Sequence, residues 1–248
     1  MNRKIIKQVN IVNEGKIILS DVLIVGERIE KIANHISDEN AEIIVGDNLY
    51  LLPGVIDDQV HFREPGLTHK ATIYSESRAA VAGGITSFME MPNTIPNTLD
   101  LNLLEEKYTI ASKTSVANYS FFMGINQNNL DEALKIDNEK VCGITDDGLY
   151  FNNDEGILAN YPVFLEKLFS RSESLIALHS EDDEIIKKNT AFYKAKYGDD
   201  IPFRYHAAIR SEEACLKATK RVLDIARKYD NRLHVFHIST LSEALLFD

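Results

Sequence analysis

The chain has 248 residues, of which 44% are apolar, and a formal net charge of −11 at pH 7. This apolar content is enough for a substantial buried core, so the composition excludes an intrinsically disordered protein. The negative charge would repel phosphate backbones and anionic lipid, which argues against nucleic acid or a membrane surface and favours small molecules or proteins as partners.

Residues 1–52 are predicted to form a small β-rich domain. Short β-branched runs such as KIIL, DVLIV and AEIIV alternate there with turn signals at Asn13-Glu14-Gly15 and Gly26-Glu27. Such runs, bounded by glycine and asparagine, are typical of short strands joined by tight turns. We therefore expect an antiparallel β unit in this part of the chain.

From residue 53 to residue 248, apolar strands alternate with helical stretches. Six strands are predicted, at residues 55–61, 85–91, 118–124, 141–145, 175–179 and 232–238. This alternation indicates an α/β fold, and its spacing favours a TIM-type (β/α)8 barrel of which about six strands are present. The final residues, LSEALLFD, have the pattern of a helix that is beginning, so we expect the natural chain to be longer.

Two segments after the fifth predicted strand differ in character. Residues 189–210 are polar and rich in tyrosine, and they are predicted to be a long loop that covers a site. The segment after Ser211 is predicted to be a helix, because it has Glu212 and Glu213 in its first turn and Arg227 and Lys228 near its end.

The predicted strands end in residues that can do chemistry. Acids, amides and imidazoles occupy these ends: Asp57, Gln59 and His61; Asp146 and Asp147; His179; and His237. In barrel enzymes the catalytic groups come from the carboxyl ends of several strands, and strand alternation sends positions i, i+2 and i+4 to one side. We expect these side chains to meet in the barrel mouth.

Three histidines at three strand ends indicate a metal site, most simply zinc. A single strand histidine is more often structural, but His61, His179 and His237 share one end and one face of the predicted barrel. A structural role is assigned to the others: His35, His69, His206 and His234. Two interpretations stay open for Asp57, which either holds the backbone or serves the site. Two also stay open for Asp146 and Asp147, which either belong to the site or are acids of the turn before Gly148.

Arg63 follows the first strand end and precedes Glu64-Pro65-Gly66, a sharp turn. Its guanidinium either forms a salt bridge with an acid such as Glu64 or binds a substrate carboxylate through a bidentate pair. Asn93, which follows Pro92, is either a turn residue or a second polar group of the same site.

Five motifs, PGVIDDQVHFREPG, GGITSFMEMPNT, ITDDG, LHSED and FHIST, resemble those of dihydroorotases in the cyclic amidohydrolase superfamily. The likeness spans nearly the whole chain. It implies an amidohydrolase barrel with a small β domain. It also implies metal-dependent, reversible cyclisation of N-carbamoyl-L-aspartate to L-dihydroorotate in pyrimidine biosynthesis.

The resemblance also implies roles for individual residues. His61 would bind one metal, His179 and His237 a second, and Asp147 would bridge the two, while Asp146 points away. Thr145 stands where some relatives carry a carbamylated lysine. The substrate carboxylate would be bound by Arg63 and Asn93.

Two departures from the family pattern affect this expectation. Gln59 replaces the first histidine of a His-x-His motif, and its amide oxygen would be a weaker zinc ligand than imidazole. We therefore expect one tightly bound Zn²⁺, with the second weak or absent. The family's general acid/base aspartate is expected beyond residue 248.

Two other functions remain open at this stage. One is a catalytically silent relative that serves as a partner of a transcarbamoylase, and the other is a hydrolase of another cyclic ureide. A homo-oligomer or a transcarbamoylase complex is the expected assembly. A cytoplasmic location is predicted, because Cys142 and Cys215 are the only cysteines and no signal peptide is evident.

Overall fold

The computed structural model describes residues 2–147 and 158–247, so Gly148 of the ITDDG motif lies outside the described residues. The chain divides into two compact units, Met1–Val55 and Ile56–Asp248. Within the described ranges, no helix combines the length and the apolar character that crossing a membrane requires.

The first unit is a small sheet. Its strands are β1 (Arg3–Asn13), β2 (Lys16–Val25), β3 (Arg28–Ala33), β4 (Glu42–Val45) and β5 (Tyr50–Leu51). β1 pairs with β2, and β2 with β3, in antiparallel fashion, whereas β4 and β5 both run parallel to β1. The expectation of an antiparallel unit is therefore wrong in part, because the chain after β3 crosses to the far side of β1 and makes no further hairpin.

A buried acid ties this small sheet together. Asp21 is fully buried, and it accepts hydrogen bonds from the main-chain N–H groups of Gln8 and Ile36, each at 2.9 Å. The Lys7 ammonium lies 2.9 Å from the same carboxylate. Burial alone would raise the pKa of Asp21, but the hydrogen bonds from Gln8, Lys7 and Ile36 hold this pKa well below its usual range.

Replacing Asp21 with asparagine should lower the free energy of unfolding by about 2 kcal/mol near neutral pH, because buried donors then lose their charged acceptor. A depressed carboxyl pKa contributes stability above the unfolded pKa of about 3.9, and this contribution is lost as the pH falls through the folded pKa. Urea unfolding of both proteins at neutral pH and at about pH 3 should show a smaller difference in acid. An equal difference at both pH values would contradict this role.

The second unit contains a parallel sheet whose strands follow chain order. Its strands are β6 (Val55–Val60), β7 (Ile85–Glu90), β8 (Asn118–Gly124), β9 (Gly143–Thr145), β10 (Ile176–Leu178) and β11 (Leu233–Val235). Neighbouring strands run parallel, and β6 and β7 are joined by a hydrogen bond from the Met91 N–H to the Val60 carbonyl at 3.0 Å. This half-barrel of six strands confirms the predicted fold class.

Helices cover one face of this sheet. They are α1 (Ile73–Ala82), α2 (Leu101–Thr114), α3 (Leu130–Ala133), α4 (Pro162–Phe169), α5 (Asp183–Tyr197), α6 (His206–Ile209), α7 (Glu212–Tyr229) and α8 (Leu241–Ala244). Neighbouring strand residues point to opposite faces: Phe121 packs in the core that includes Leu104 of α2, and Phe122 packs with Met91 and Phe236 in a second cluster. This alternation fixes which strand-end side chains can reach the inner face.

The loop predicted over residues 189–210 is mostly helical. α5 continues to Tyr197, because alanines and lysines favour a helix there, and it ends at Gly198, whose φ is +69°. A 3-10 turn at Phe203–Tyr205 and the short α6 follow. The helix predicted after Ser211 is present, and the Ser211 hydroxyl accepts the Ala214 N–H at 3.4 Å.

Candidate active site

The carboxyl ends of the second unit's strands open into a cavity of about 1160 Å³. The candidate metal-binding and substrate-binding residues all line it: Gln59, His61, Arg63, Asn93, Asp147, His179 and His237. The alternative candidates Asp57 and Asp146 do not line the cavity, and neither does His234, which lies 3.7 Å from Asp58. The structure therefore brings together side chains from five strand ends.

The first strand contributes an amide that contacts the central carboxylate. Asp57 accepts the main-chain N–H of Gln59 at 3.2 Å, so it holds the backbone, which is one of its two predicted roles. The Gln59 side chain donates its Nε2–H to Oδ2 of Asp147 at 2.6 Å. The nitrogen of this amide, and not the oxygen expected to bind a metal, is therefore directed at Asp147.

His61 is oriented by Asn93. Its Nδ1 lies 3.0 Å from Oδ1 of Asn93, and because an amide oxygen only accepts hydrogen bonds, Nδ1 carries the proton. The lone pair of His61 Nε2 then faces the cavity, 3.7 Å from Oδ1 of Asp147. Asn93 is nearly buried, and its amide nitrogen is the donor left for a ligand.

Asp146 supports His179 from behind, a role that the sequence pattern did not indicate. Its carboxylate points away from the cavity, as predicted, and accepts the His179 main-chain N–H at 3.1 Å while lying 3.3 Å from Nδ1. Burial alone would lower the pKa of His179, but the hydrogen bond and charge of Asp146, with the charge of Asp147, raise it. His179 Nε2 lies 3.8 Å from Oδ2 of Asp147.

His237 reaches the cavity by a route that strand alternation does not provide. β11 ends at Val235, and Phe236 occupies the inner cluster, so continued alternation would turn the next residue away. The φ angle of His237 is +35°, which breaks the alternation. Its ring lies 4.9 Å from that of His179, and burial together with the charge of His179 lowers its pKa.

The donor chemistry of this cluster fits a metal ion. Nδ1 of His61 lies against the Asn93 amide oxygen, and Nδ1 of His179 lies against the Asp146 carboxylate. The Nε2 lone pairs of both histidines therefore face the oxygens of Asp147. A cation would stabilise this group of facing acceptors. Across residues 2–147 and 158–247, however, no three His, Cys, Asp or Glu side chains form a complete metal-binding group. Thr145 is buried and holds Asp147 through its hydroxyl, which accepts the Asp147 N–H at 3.1 Å.

Arg63 makes no ion pair with any acid in the described part of the chain. Glu64, the partner considered from the sequence, instead accepts the Ile73 N–H at the start of α1 at 2.8 Å. The turn after Arg63 packs on the next loop, since a Cβ on Gly66, whose φ is +81°, would lie 2.0 Å from the Ile95 carbonyl oxygen. A guanidinium available for a ligand is thus held beside the loop that carries Asn93.

Further cavity residues had no recognisable signal in the sequence. Arg210 donates its Nε–H to Oε1 of Glu181 at 2.9 Å, and both side chains line the cavity with Lys70 and His206. Lys70 precedes α1, Glu181 follows β10, and His206 and Arg210 begin and follow α6, so strand alternation marks none of them.

A half-barrel of parallel strands with imidazole, carboxylate and amide groups at its strand ends defines the class of amidohydrolase-type barrels. Solved structures of this class match closely in fold. The L-hydantoinase (dihydropyrimidinase) from Arthrobacter aurescens has a TM-score of 0.88 at 25% identity, covering 99% of this chain and 55% of that one. The dihydropyrimidinase from Brevibacillus agri has a TM-score of 0.76 at 25% identity, covering 98% and 53%.

The sequence profile of the Dihydro-orotase-like family matches residues 49–240, and the chain belongs to this family. It is 29% identical to the dihydroorotase of Methanosarcina acetivorans over 95% of this chain and 50% of that protein. It is 38% identical to the dihydroorotase of Lactococcus lactis subsp. lactis over 67% of this chain and 39% of that protein. The chain spans about half the length, or less, of these curated relatives.

Proposed function

We propose that the protein carrying this chain is a dihydroorotase, which interconverts N-carbamoyl-L-aspartate and L-dihydroorotate in de novo pyrimidine biosynthesis. The observation that carries this proposal is Arg63, a cavity guanidinium without an acidic partner in the described residues. L-dihydroorotate bears a carboxylate on its ring, whereas hydantoin and dihydrouracil rings bear none. The relatives named dihydroorotase support the same substrate.

In this proposal, Arg63 and Asn93 bind the substrate carboxylate. The guanidinium offers two parallel N–H donors, which suit the two oxygens of a carboxylate. Asn93 uses its oxygen on His61 and therefore offers its Nδ2–H groups to the substrate. The same amide would thus orient one imidazole and bind the substrate.

The residues proposed to hold Zn²⁺ are His61, His179, His237 and Asp147, with one ion bound tightly and a second bound weakly or not at all. A bound zinc ion lowers the pKa of water and polarises the amide carbonyl of the ring. Asn93 and Asp146 keep the Nε2 lone pairs of the two histidines directed at the cavity. We also assign a catalytic role to Asp147. Proton transfer to and from the ring nitrogen is assigned to an aspartate beyond residue 248.

Replacing Asp146 with asparagine should weaken zinc binding by about 10- to 100-fold, because the carboxylate that orients His179 and raises its basicity is lost. Zinc affinity is measured by competition with a chromogenic chelator. Asp58→Asn, which changes an exposed acid outside the cavity, is the matched control and should bind zinc as the unmodified protein does. Equal affinities of Asp146→Asn and the unmodified protein would contradict the supporting role.

The test of the proposed function is turnover by the purified full-length protein. We expect hydrolysis of L-dihydroorotate and cyclisation of N-carbamoyl-L-aspartate, with much slower hydrolysis of dihydrouracil and hydantoin. Faster turnover of the uncharged rings would instead identify a hydrolase of another cyclic ureide.

One observation favours a second candidate, a catalytically silent relative that assembles with a transcarbamoylase. The Gln59 amide already occupies Oδ2 of Asp147, an oxygen that a bridging ligand would need. Complete absence of turnover with either substrate, in a folded full-length protein, would support this candidate. For either function we propose a cytoplasmic location, which the two unpaired cysteines favour.

A further inference from the structure

A fully buried ion pair lies behind the candidate site. Glu90 is the last residue of β7 and Lys107 belongs to α2, and both side chains are 0% exposed. The Lys107 ammonium contacts Oε2 of Glu90 and donates a hydrogen bond to the Met91 carbonyl at 2.8 Å. It also lies 4.9 Å from the centre of the Phe121 ring, so the pair is enclosed in the apolar core between sheet and helices.

The contacts of this pair end on the main chain beside the proposed carboxylate-binding residues. Met91 lies two residues before Asn93 in the sequence. Neither Glu90 oxygen has a hydrogen bond of ordinary geometry among the described residues, so Lys107 is its main partner, and the Phe62 main chain adds a weaker attraction. Phe62 directly precedes Arg63, whose positive charge also acts on Glu90.

Stability of the fold does not by itself account for this pair. Burial raises the pKa of Glu90 to about 7 in spite of the charge of Lys107, and burial lowers the pKa of Lys107, so both charged forms are disfavoured. Replacement of a buried ion pair by apolar residues of similar volume is often neutral or stabilising. The two charges therefore point to a task other than holding the core together.

We propose that Glu90 and Lys107 are positioning residues that fix the main chain beside Arg63 and Asn93 and so set the affinity of the site for a substrate carboxylate. This inference rests on the proposed function. Lys107 holds the segment after β7 through the Met91 carbonyl, and Glu90 pairs with Lys107 while attracting the Phe62 main chain next to Arg63. The two loops also meet directly, because the Ile95 N–H donates to the Pro65 carbonyl at 3.2 Å.

The test is the double variant Glu90→Leu, Lys107→Met in the full-length protein. The thermal midpoint should stay the same or rise, since an apolar pair replaces the charges. The KM for L-dihydroorotate should rise about tenfold, because small displacements of Arg63 and Asn93 weaken oriented, charge-assisted hydrogen bonds. Because His179, His237 and Asp147 lie on other strands, kcat should fall by no more than about threefold, through the contact of Asn93 with His61. The KM for dihydrouracil should rise far less than the KM for dihydroorotate, because this ring has no carboxylate.

Asp21→Asn is the matched control, because it disrupts an ion pair of another fully buried acid, in the first unit, and should lower stability while leaving both KM values unchanged. If the double variant fails to fold, Glu90→Gln decides the question, since it removes one charge at nearly constant volume and should also raise the KM for dihydroorotate selectively. An unchanged KM for dihydroorotate, or an equal rise for both rings, overturns the assignment while the proposed function stands. An unmodified protein that neither binds nor turns over dihydroorotate overturns the proposed function and this assignment together.

Discussion

Replacing Arg63 with alanine should reduce kcat/KM for L-dihydroorotate by about 30-fold or more, because loss of one partner of an enclosed charge pair removes roughly 2–5 kcal/mol. The guanidinium lines the cavity without an acidic ion-pair partner in the described ranges, and its charge acts on Glu90 only as the smallest of several influences, so the main interaction lost is the one with the substrate. The loss should appear mainly in KM if the carboxylate is bound equally in the ground state and the transition state.

The experiment discriminates best when two substrates, L-dihydroorotate and dihydrouracil, are compared in two arginine-to-alanine variants. Dihydrouracil, which has no carboxylate, should be hydrolysed by Arg63→Ala at nearly the unmodified rate. Arg78→Ala removes an arginine that lies over the Tyr74 ring in α1, outside the cavity, and it should leave both substrates unaffected. Equal losses on the two rings in Arg63→Ala would rule out recognition of the carboxylate by this residue.

Replacing Gln59 with histidine should add a second tightly held zinc ion to the full-length protein. The Gln59 amide now donates to Oδ2 of Asp147 at 2.6 Å, and an imidazole at this position would supply a nitrogen ligand close to His61. Imidazole is a better zinc ligand than a neutral amide oxygen. Metal analysis after exhaustive dialysis should therefore find one zinc per unmodified chain and two per Gln59→His chain.

Gln59→Ala is the control that separates a new ligand from a lost hydrogen bond. It frees Oδ2 of Asp147 without adding a ligand, so its metal content should stay at one. Two tightly bound ions in the unmodified protein would show that Gln59 does not weaken binding of the second metal ion. An unmodified protein with no zinc and no turnover would favour the silent relative.

Strand order and the residues at the strand ends were predictable because they depend on local patterns. Apolar runs of strand length separated by helical stretches predicted the six parallel strands, and the same runs placed His61, His179 and Asp147 at their carboxyl ends. The prediction of an antiparallel unit in the first 52 residues failed in part, because the pattern of short apolar runs carries no information on which strands pair. Short β-branched runs do not distinguish a hairpin from the crossover that makes β4 parallel to β1.

The long loop expected at residues 189–210 shows a second limit. Tyrosines and polar residues suggested irregular structure, yet helix-forming lysines and alanines extend α5 to Tyr197, and none of its residues is fully buried. A helix without a strong apolar stripe has little periodic signal, so its presence was hidden.

The sequence by itself determined the barrel class, the strand ends that carry polar groups and the likeness to dihydroorotases, because periodicity and motifs are local properties. Tertiary structure alone decided which polar groups meet. Gln59 bonds to Asp147 across 88 positions, His61 to Asn93 across 32, and Asp146 to His179 across 33. Such partners are chosen by the approach of separate strands and by side-chain rotamers, and at His237 by a left-handed backbone angle, none of which a residue pattern specifies.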